Sequence, residues 1–379
     1  MLIDVQKGVR KMKKLILLGL ATAMSAAGGL TISKSINAER EEKDARIIVQ
    51  LDSPLGNKTA KRLHNEQSAV INSIRNEVTT NYTISSRFTN VLNAFAMQVN
   101  SKHVSHIRNL PGVKKVVYDT YREVSSTESD LAKRTSTKIE VATENLSKET
   151  MNVPDGTNEG EGTLIAILDS SFMIHATSPE KDPIIKDLND ATHATFTALD
   201  DSLSVKYTRD EIKAVINHTE GFHGHDDDTH DTYLNNKVPF FYDYGGVVTL
   251  KSSSDDRHPG EEDYDVYTEG SEHGNHVASI AAGNDPLYKG IAPKAQLACM
   301  KVFTASTYYA QVQDDSGTIS NQKVISVGAY DECILKAFRV CLKHKRSSKK
   351  DFYIFLAYYY NYYYTSWQAY FCSYYELII

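Results

Sequence analysis

One short segment of this chain constrains its fold more than any other. Thr163 to Leu168 form an almost unbroken apolar run that ends at Asp169. Such a run is typical of a strand that is buried on both faces, as strands in parallel sheets are. In open α/β sheets the functional groups lie beyond the carboxyl ends of the strands, so Asp169 is a candidate functional residue. The alternative interpretation of Asp169 is an ordinary strand-ending turn residue.

A helix and a second buried strand follow this segment. Glu272 to Gly283 is typical of a buried helix whose small residues permit close packing on a sheet, and Asn284 follows its end. Ala295 to Phe303 is another apolar run. The order of strand, helix and strand predicts a doubly wound α/β domain.

The pattern of residues 45–124 predicts a separate α+β domain. Strands are expected at 46–51, 82–88, 94–99 and 113–118, with helices at 58–78 and from residue 101. The order β-α-β-β-α-β indicates a ferredoxin-like fold, which hosts many unrelated functions.

Within this region, two runs carry a family resemblance. Asn93 to Val99, followed by His106 to Val116, resembles the inhibitor-type propeptide of secreted subtilases. The resemblance implies that 45–124 is a propeptide domain that packs on its own catalytic domain.

Motifs after residue 160 resemble the same family. Gly162 to Asp169 resembles the first catalytic motif of the subtilisin-like serine proteases, and His273 to Ala278 resembles the second, which usually reads His-Gly-Thr-His-Val-Ala. Gly290 to Leu297 and Met300 to Phe303 are similar to the next strand of the family. Lys237 to Tyr244 is similar to the lactocepin-type cell-envelope proteinases of Gram-positive bacteria.

The resemblance implies catalytic roles for two residues. Asp169 would orient His273, which would act as general base toward a serine nucleophile and then as general acid toward the leaving amine. The two side chains should then approach within about 2.6–3.2 Å. Ser171 and Asn275 stand where the family usually has Gly and Thr. His276 is expected to pack in the helix rather than to act in catalysis.

The third catalytic motif of the family is not found after His273. Neither a Gly-Thr-Ser-Met-Ala type segment nor the oxyanion-hole Asn run occurs there. Instead, Lys323 to Glu332 resembles a later strand of the same domain, joined almost directly to Phe303, which predicts the loss of an internal piece. The resemblance therefore implies a truncated and inactive precursor of a serine endopeptidase.

The two ends of the chain differ from its middle. Basic residues at 10–14 precede an apolar stretch at 15–27, which predicts a signal peptide over 1–38, with an uncleaved membrane anchor as the alternative. Residues 333–379 hold ten of the 23 Tyr and no Gly or Pro. This composition predicts out-of-frame translation. The alternative is a membrane segment within 352–379 that is flanked by a run of basic residues before it.

The expected organisation combines these observations. It is a signal peptide at 1–38, a propeptide domain at 45–124, an exposed linker at 125–159, a partial subtilase catalytic domain at 160–332 and an aberrant Tyr-rich tail at 333–379. The predicted fold class is α/β, with a ferredoxin-like α+β propeptide before an incomplete subtilisin-like parallel-sheet domain. A secreted or cell-envelope location and peptide or protein substrates are implied, and a pI near 6.1 argues against nucleic-acid binding.

Two other functions are compatible with some of these residues. A metal-dependent hydrolase is the less favoured, because Glu272-His273-x-x-His276 departs from the HExxH spacing. The resemblance implies that no cofactor is required. Weak Zn binding or structural Ca binding is still expected to be possible in one solvated loop, whose donors are His223, His225, Asp226, Asp227, Asp228, His230 and Asp231. The other alternative is a non-catalytic inhibitor or chaperone of another subtilase, which needs no serine.

Overall fold

The computed structural model describes residues 44–127, 159–175, 184–185, 195–217, 219, 222, 232–252, 257–268, 271, 273–284, 289–313, 317–347 and 352–356. The predicted signal peptide, most of the predicted linker and the His/Asp loop at 223–231 lie outside these ranges. Predictions for those segments therefore stay predictions.

An N-terminal module contains one four-stranded antiparallel sheet and two helices. Its elements are β1 (Asp44–Leu51), α1 (Ala60–Ser73, continued by a π-helical turn at Ile74–Val78), β2 (Tyr82–Phe88), β3 (Ala94–Asn100), α2 (Val104–Arg108) and β4 (Val113–Tyr118). The strands lie in the order β2-β3-β1-β4, and all neighbours are antiparallel. This topology is ferredoxin-like, as the sequence predicts.

The two faces of this sheet have different partners. On one face, α1 buries Leu63, Val70 and Ile71 along one stripe, and Val70 and Ile71 join the main core of the module. The other face carries a small apolar group made of Ile48, Phe88, Ala94 and Ala96. Successive residues of a strand point to opposite faces, so one set of strands supplies both cores.

A parallel sheet forms the centre of the region after residue 160. Its strands are β6 (Leu164–Asp169), β9 (Phe240–Asp243), β11 (Gln296–Lys301) and β14 (Phe352–Leu356), in the order β14-β6-β11-β9. Every neighbouring pair is parallel, and all six residues of β6 are buried. A two-stranded antiparallel pair, β7 (Ile174–His175) with β8 (Ile184–Ile185), lies outside this sheet.

Helices cover both faces of the parallel sheet. They are α3 (Arg209–Asn217), α4 (His273–Ala282) and α5 (Asp331–Ser347). Buried residues of α3 and α5 share one core with β6, whereas buried residues of α4 share the core on the opposite face. The predicted doubly wound α/β architecture is therefore confirmed.

A second sheet lies beside the parallel one. It contains β5 (Arg122–Thr127), β10 (Val247–Thr249), β12 (Phe303–Gln313) and β13 (Ile319–Ala329), in the order β10-β12-β13-β5. The strand predicted at Lys323 to Glu332 is present, up to Ala329, as the second half of β13, and it follows β12, which begins at Phe303. The predicted loss of an internal piece stays a prediction. β12 and β13 pair antiparallel over eleven residues as a long hairpin, and Gly317 at its turn has φ +86°.

Helix α5 crosses the predicted start of the aberrant tail. The division between Glu332 and Cys333 falls inside this helix, and Cys333, Ala337, Val340 and Cys341 are buried in the core next to β6. β5 likewise crosses the predicted division between the propeptide domain and the linker. Among the described residues, no helix is both long enough and apolar enough to cross a membrane.

Candidate active site

Asp169 is the last residue of β6, and its side chain lies among polar groups of neighbouring segments. The residue is 1% exposed, and its partner in the register of the neighbouring strand is Lys301. Its Oδ1 accepts hydrogen bonds from the Ser170 amide at 2.6 Å and from the Ser170 hydroxyl at 3.0 Å. These donors fix the orientation of the carboxylate.

His273 is the first residue of α4, and the glycine after it allows the helix to begin close to β6. A Cβ added to Gly274 would lie 2.1 Å from the carbonyl oxygen of Ser171. No side chain can occupy that space, so glycine permits the approach of the helix start to the strand end.

The Asp169 and His273 side chains meet at this point. His273 Nδ1 lies 2.9 Å from Oδ1 and 3.0 Å from Oδ2 of Asp169, although the two residues are 104 positions apart. An ionised carboxylate only accepts hydrogen bonds, so Nδ1 carries the proton and Nε2 is the unprotonated nitrogen of the neutral ring. The predicted contact is present, and the catalytic roles of the two residues stay a prediction.

The environment of His273 favours its charged form. Burial alone would lower the pKa of this imidazole, but the hydrogen bond to Asp169 and the charge of that carboxylate raise its pKa above the ordinary value. An imidazole held in this way can take up a proton and stabilise the resulting imidazolium.

The two positions that differ from the family pattern are both used in local contacts. Ser171 is fully buried, and its hydroxyl accepts a hydrogen bond from the Thr268 amide at 2.7 Å. Asn275 is 2% exposed, and its Oδ1 accepts from the Met173 amide at 2.6 Å. Both side chains therefore connect the segment after Asp169 to the segments around His273.

His276 lies on the same helix as His273 but in a different environment. The sequence-based expectation that it packs in the helix is wrong, because the residue is exposed. The protein atoms around its ring, and then the nearby His273, lower the pKa of His276. Asn275 and Ala278, three positions apart, share the buried face of α4, and position 276 lies to the side of that face.

A buried ion pair next to Asp169 was missed by the sequence analysis. Lys301 Nζ donates to Asp243 Oδ2 at 2.5 Å, and both side chains are fully buried. Asp243 Oδ1 also accepts from the amides of Gly245 and Gly246 at 2.8 Å. A signal was present, because Asp243 and Lys301 each end a buried strand as Asp169 does.

Metal donors form no cluster in the part of the chain that the structure describes. Among the residues that the structure describes, no group of three or more His, Cys, Asp or Glu side chains could hold a metal ion. The predicted donor loop at 223–231 lies outside the described residues, so weak Zn or Ca binding there stays a prediction.

A second polar cluster joins the N-terminal module to the start of α5. Arg46 of β1 donates to Glu332 at 2.5 Å and to Asp119 at 3.3 Å. The hydroxyls of Ser85 and Ser86 also donate to the Glu332 carboxylate, at 2.9 and 2.5 Å. We call these residues the junction cluster: Arg46, Ser85, Ser86, Asp119 and Glu332.

Apolar and aromatic contacts extend the junction cluster along α5. Leu335 packs against the outer apolar group of the first sheet, and the Arg339 guanidinium lies 5.1 Å from the centre of the Phe88 ring. Arg339 also donates to the Arg87 carbonyl. One face of α5 therefore covers the N-terminal module while another contributes to the core beside β6.

Two family models match the chain over the two regions just described. The subtilase family matches residues 160–328, and peptidase inhibitor I9 matches residues 46–125. The chain carries a subtilase domain preceded by an I9 domain. Asp169 and His273 both lie in the subtilase match, and Arg46 and Asp119 lie in the I9 match. The family predicted from the sequence motifs is therefore confirmed.

Curated relatives of this chain are bacterial proteinases. The PI-type proteinase of Lactococcus lactis subsp. cremoris and the PII-type proteinase of Lacticaseibacillus paracasei are each 24% identical to it. Each match covers 79% of this chain and 14% of the relative. The chain thus spans about one seventh of the length of the curated relatives that it matches.

Proposed function

We propose that this chain is the precursor form of a secreted subtilisin-like serine endopeptidase, with Asp169 and His273 as two members of its catalytic triad. The contact between His273 Nδ1 and the Asp169 carboxylate, 2.9 and 3.0 Å from its two oxygens, carries the proposal. The contact supports different roles for the two residues: Asp169 orients the imidazole, and Nε2 of His273 transfers protons to and from the reacting groups.

In this mechanism His273 acts twice. It first takes the proton of a serine hydroxyl during attack on a peptide carbonyl, because an un-ionised hydroxyl is a weak nucleophile. It then returns the proton to the leaving amine. The buried Asp169 stabilises the imidazolium between these two steps, in agreement with the raised pKa of His273.

We further propose that the chain as written hydrolyses peptide bonds at no useful rate. Residues 274–379 contain no Gly-Thr-Ser-Met-Ala type segment that could supply the nucleophile. Loss of the serine lowers the turnover of subtilisin by about 10⁶-fold, and loss of an oxyanion donor lowers it by about 10²–10³-fold. These losses are not additive, and the loss of the serine alone is enough to abolish useful activity.

A fluorophosphonate probe tests this proposal, because it labels only an activated serine. Residues 39–379 should remain unlabelled, as should the His273→Ala variant, while an active subtilase in the same experiment is labelled. The matched control is His276→Ala, which alters an exposed histidine on the same helix. Stoichiometric labelling that His273→Ala abolishes and His276→Ala preserves would show that the site is complete.

The I9 domain supports a second candidate function, as an inhibitor or chaperone of another subtilase. Its main core is built from its own residues in β1, β3, β4, α1 and α2. Inhibition of a related protease by residues 39–124 would favour this function, and it needs neither Asp169 nor His273.

Partners and location belong to the same proposal. Peptides or proteins are the expected substrates, and the I9 domain packs on the start of α5 through the junction cluster. A secreted or envelope-associated location is supported by the signal-like composition of residues 1–38. Mass spectrometry of the exported protein would show whether the N-terminal segment is removed.

A further inference from the structure

Two serine hydroxyls connect the segment that carries Asp169 to the segment that carries His273. The Ser271 hydroxyl donates to the Ser170 hydroxyl at 2.9 Å, and the Ser170 hydroxyl donates to Asp169 Oδ1 at 3.0 Å. Ser271, Ser170 and Asp169 are 9%, 5% and 1% exposed, respectively. This chain of hydrogen bonds ends on the same carboxylate oxygen that lies 2.9 Å from His273 Nδ1.

From this arrangement we propose that Ser271 is a positioning residue that acts on His273 through Ser170 and Asp169. The inference rests on the proposed function, because it concerns how the same Asp–His pair is adjusted. Ser271 itself touches none of the reacting atoms.

The direction of each hydrogen bond explains how Ser271 would act. A serine hydroxyl has one proton and two lone pairs. When Ser271 donates to Ser170, the Ser170 oxygen uses a lone pair for that bond and is free to turn its single proton toward Asp169. Ser271 thereby fixes the rotor of the Ser170 hydroxyl in the donating orientation.

The low exposure of these groups makes that orientation matter. Hydrogen bonds in a poorly hydrated site polarise one another, so donation from Ser271 strengthens donation from Ser170 to Asp169. A carboxylate that is stabilised in this way attracts the proton of His273 less strongly. The Ser170 amide, 2.6 Å from Oδ1, keeps the carboxylate oriented even when a hydroxyl is removed.

These steps fix the sign of the expected effect. Ser271→Ala should raise the proton affinity of His273. The substitution weakens the hydrogen bond from Ser170 to the Asp169 carboxylate, while the Ser170 amide keeps that carboxylate in place. Loss of a whole hydrogen bond of ordinary strength changes an equilibrium constant, here that for proton binding by His273, by about fivefold. Loss of the strengthening that Ser271 gives to the Ser170–Asp169 hydrogen bond should change it by about two- to threefold. Ser170→Ala should therefore have the larger effect.

The test is a nuclear magnetic resonance titration of the His273 ring in residues 39–379. It needs no serine nucleophile and no substrate. Variants are Ser271→Ala, Ser170→Ala, the double variant, and Ser271→Thr, which keeps the hydroxyl and should restore the wild-type titration. The matched control is Ser202→Ala, since Ser202 makes the same kind of contact with Asp200 on an exposed turn.

Non-additivity is the decisive result. If Ser271 acts through Ser170, Ser271→Ala raises the His273 pKa in the wild-type background and leaves it unchanged in the Ser170→Ala background. An unchanged or lowered pKa in the single variant, or an equal effect in both backgrounds, would overturn the inference.

A further variant separates this inference from the proposed function. Asp169→Asn should lower the His273 pKa, because it removes the carboxylate charge. If Asp169→Asn has no effect, the Asp–His pair of the proposed function fails. If Asp169→Asn lowers the pKa and Ser271→Ala does not raise it, only the role of Ser271 is refuted.

Discussion

Replacing Asp119 with Asn should remove a pH-dependent loss of stability at the junction cluster. Asp119 is buried, and its pKa is raised to about 6, first by burial and then by the nearby charge of Glu332, while Arg46 opposes the rise. Asp331 of the same helix adds to the rise, and the hydrogen bond from the Glu332 amide to the Asp119 side chain opposes it. The folded protein therefore holds this proton at pH values where the unfolded chain has released it.

The sign and the size of the effect depend on that difference. Because the folded pKa is above the unfolded value, the contribution of Asp119 to stability is highest below about pH 4 and falls as the pH rises through about 6. The pKa difference corresponds to a loss of about 2–3 kcal/mol in the free energy of unfolding. An asparagine side chain has no proton to lose, so this contribution should be constant with pH in the Asp119→Asn variant.

Glu332 provides a matched variant with the opposite sign. Its pKa is lowered because Lys336, Arg46 and the two serine hydroxyls outweigh the cost of burial. Stability from Glu332 is present at neutral pH and is lost on acidification. Glu332→Gln should therefore cost about 2–3 kcal/mol at pH 7, and this cost should shrink only as the pH falls below about 4.5, through the lowered pKa of Glu332.

Urea unfolding at pH 3, 4, 5, 6 and 7 measures both effects, with the free energy obtained by linear extrapolation. From pH 4 to pH 6, the free energy of unfolding of Asp119→Asn should rise relative to that of the wild type. Parallel curves for these two proteins would refute the reasoning, as would a Glu332→Gln deficit that grows on acidification.

Two further substitutions test the packing around α4. Gly274→Ala should destabilise the fold by more than about 3 kcal/mol, because the added Cβ would lie 2.1 Å from the Ser171 carbonyl oxygen, and urea unfolding measures this loss. Lys237→Met should cost about 1–3 kcal/mol, since it leaves two buried carbonyl oxygens, one at the end of α4, without a donor. Lys114→Met, at an exposed position, is the control for the second substitution and should change the unfolding midpoint little.

The elements that sequence patterns predicted are those whose signal is local. The apolar run before Asp169 and the small residues after His273 each report the burial of one element, and both elements are present. The contact between Ser170 and Ser271 joins residues 101 positions apart through two common hydroxyls, and no sequence pattern distinguishes such a pair. The β12–β13 hairpin likewise depends on a pairing partner that local composition does not specify.

The tail shows how an averaged property can conceal a periodic one. Its Tyr-rich composition and its lack of Gly and Pro predicted an aberrant segment from residue 333. The same sequence places Cys333, Ala337, Val340 and Cys341 at helical spacing, and these residues form the buried stripe of α5. The helical pattern occupies only the first part of the tail, so the Tyr-rich residues after α5 dominate the average composition.

The position of α5 in the chain has a consequence for the order in which the protein is made. Arg46 and Glu332 are 286 residues apart, and ribosomes add about 5–20 residues per second, so roughly 15–60 s separate the synthesis of the two partners. During that interval the outer apolar group around Ile48 and Phe88 has no helix over it. A nascent chain that stalls before α5 would present this patch to water and to other chains, so incomplete synthesis should favour aggregation through the N-terminal module.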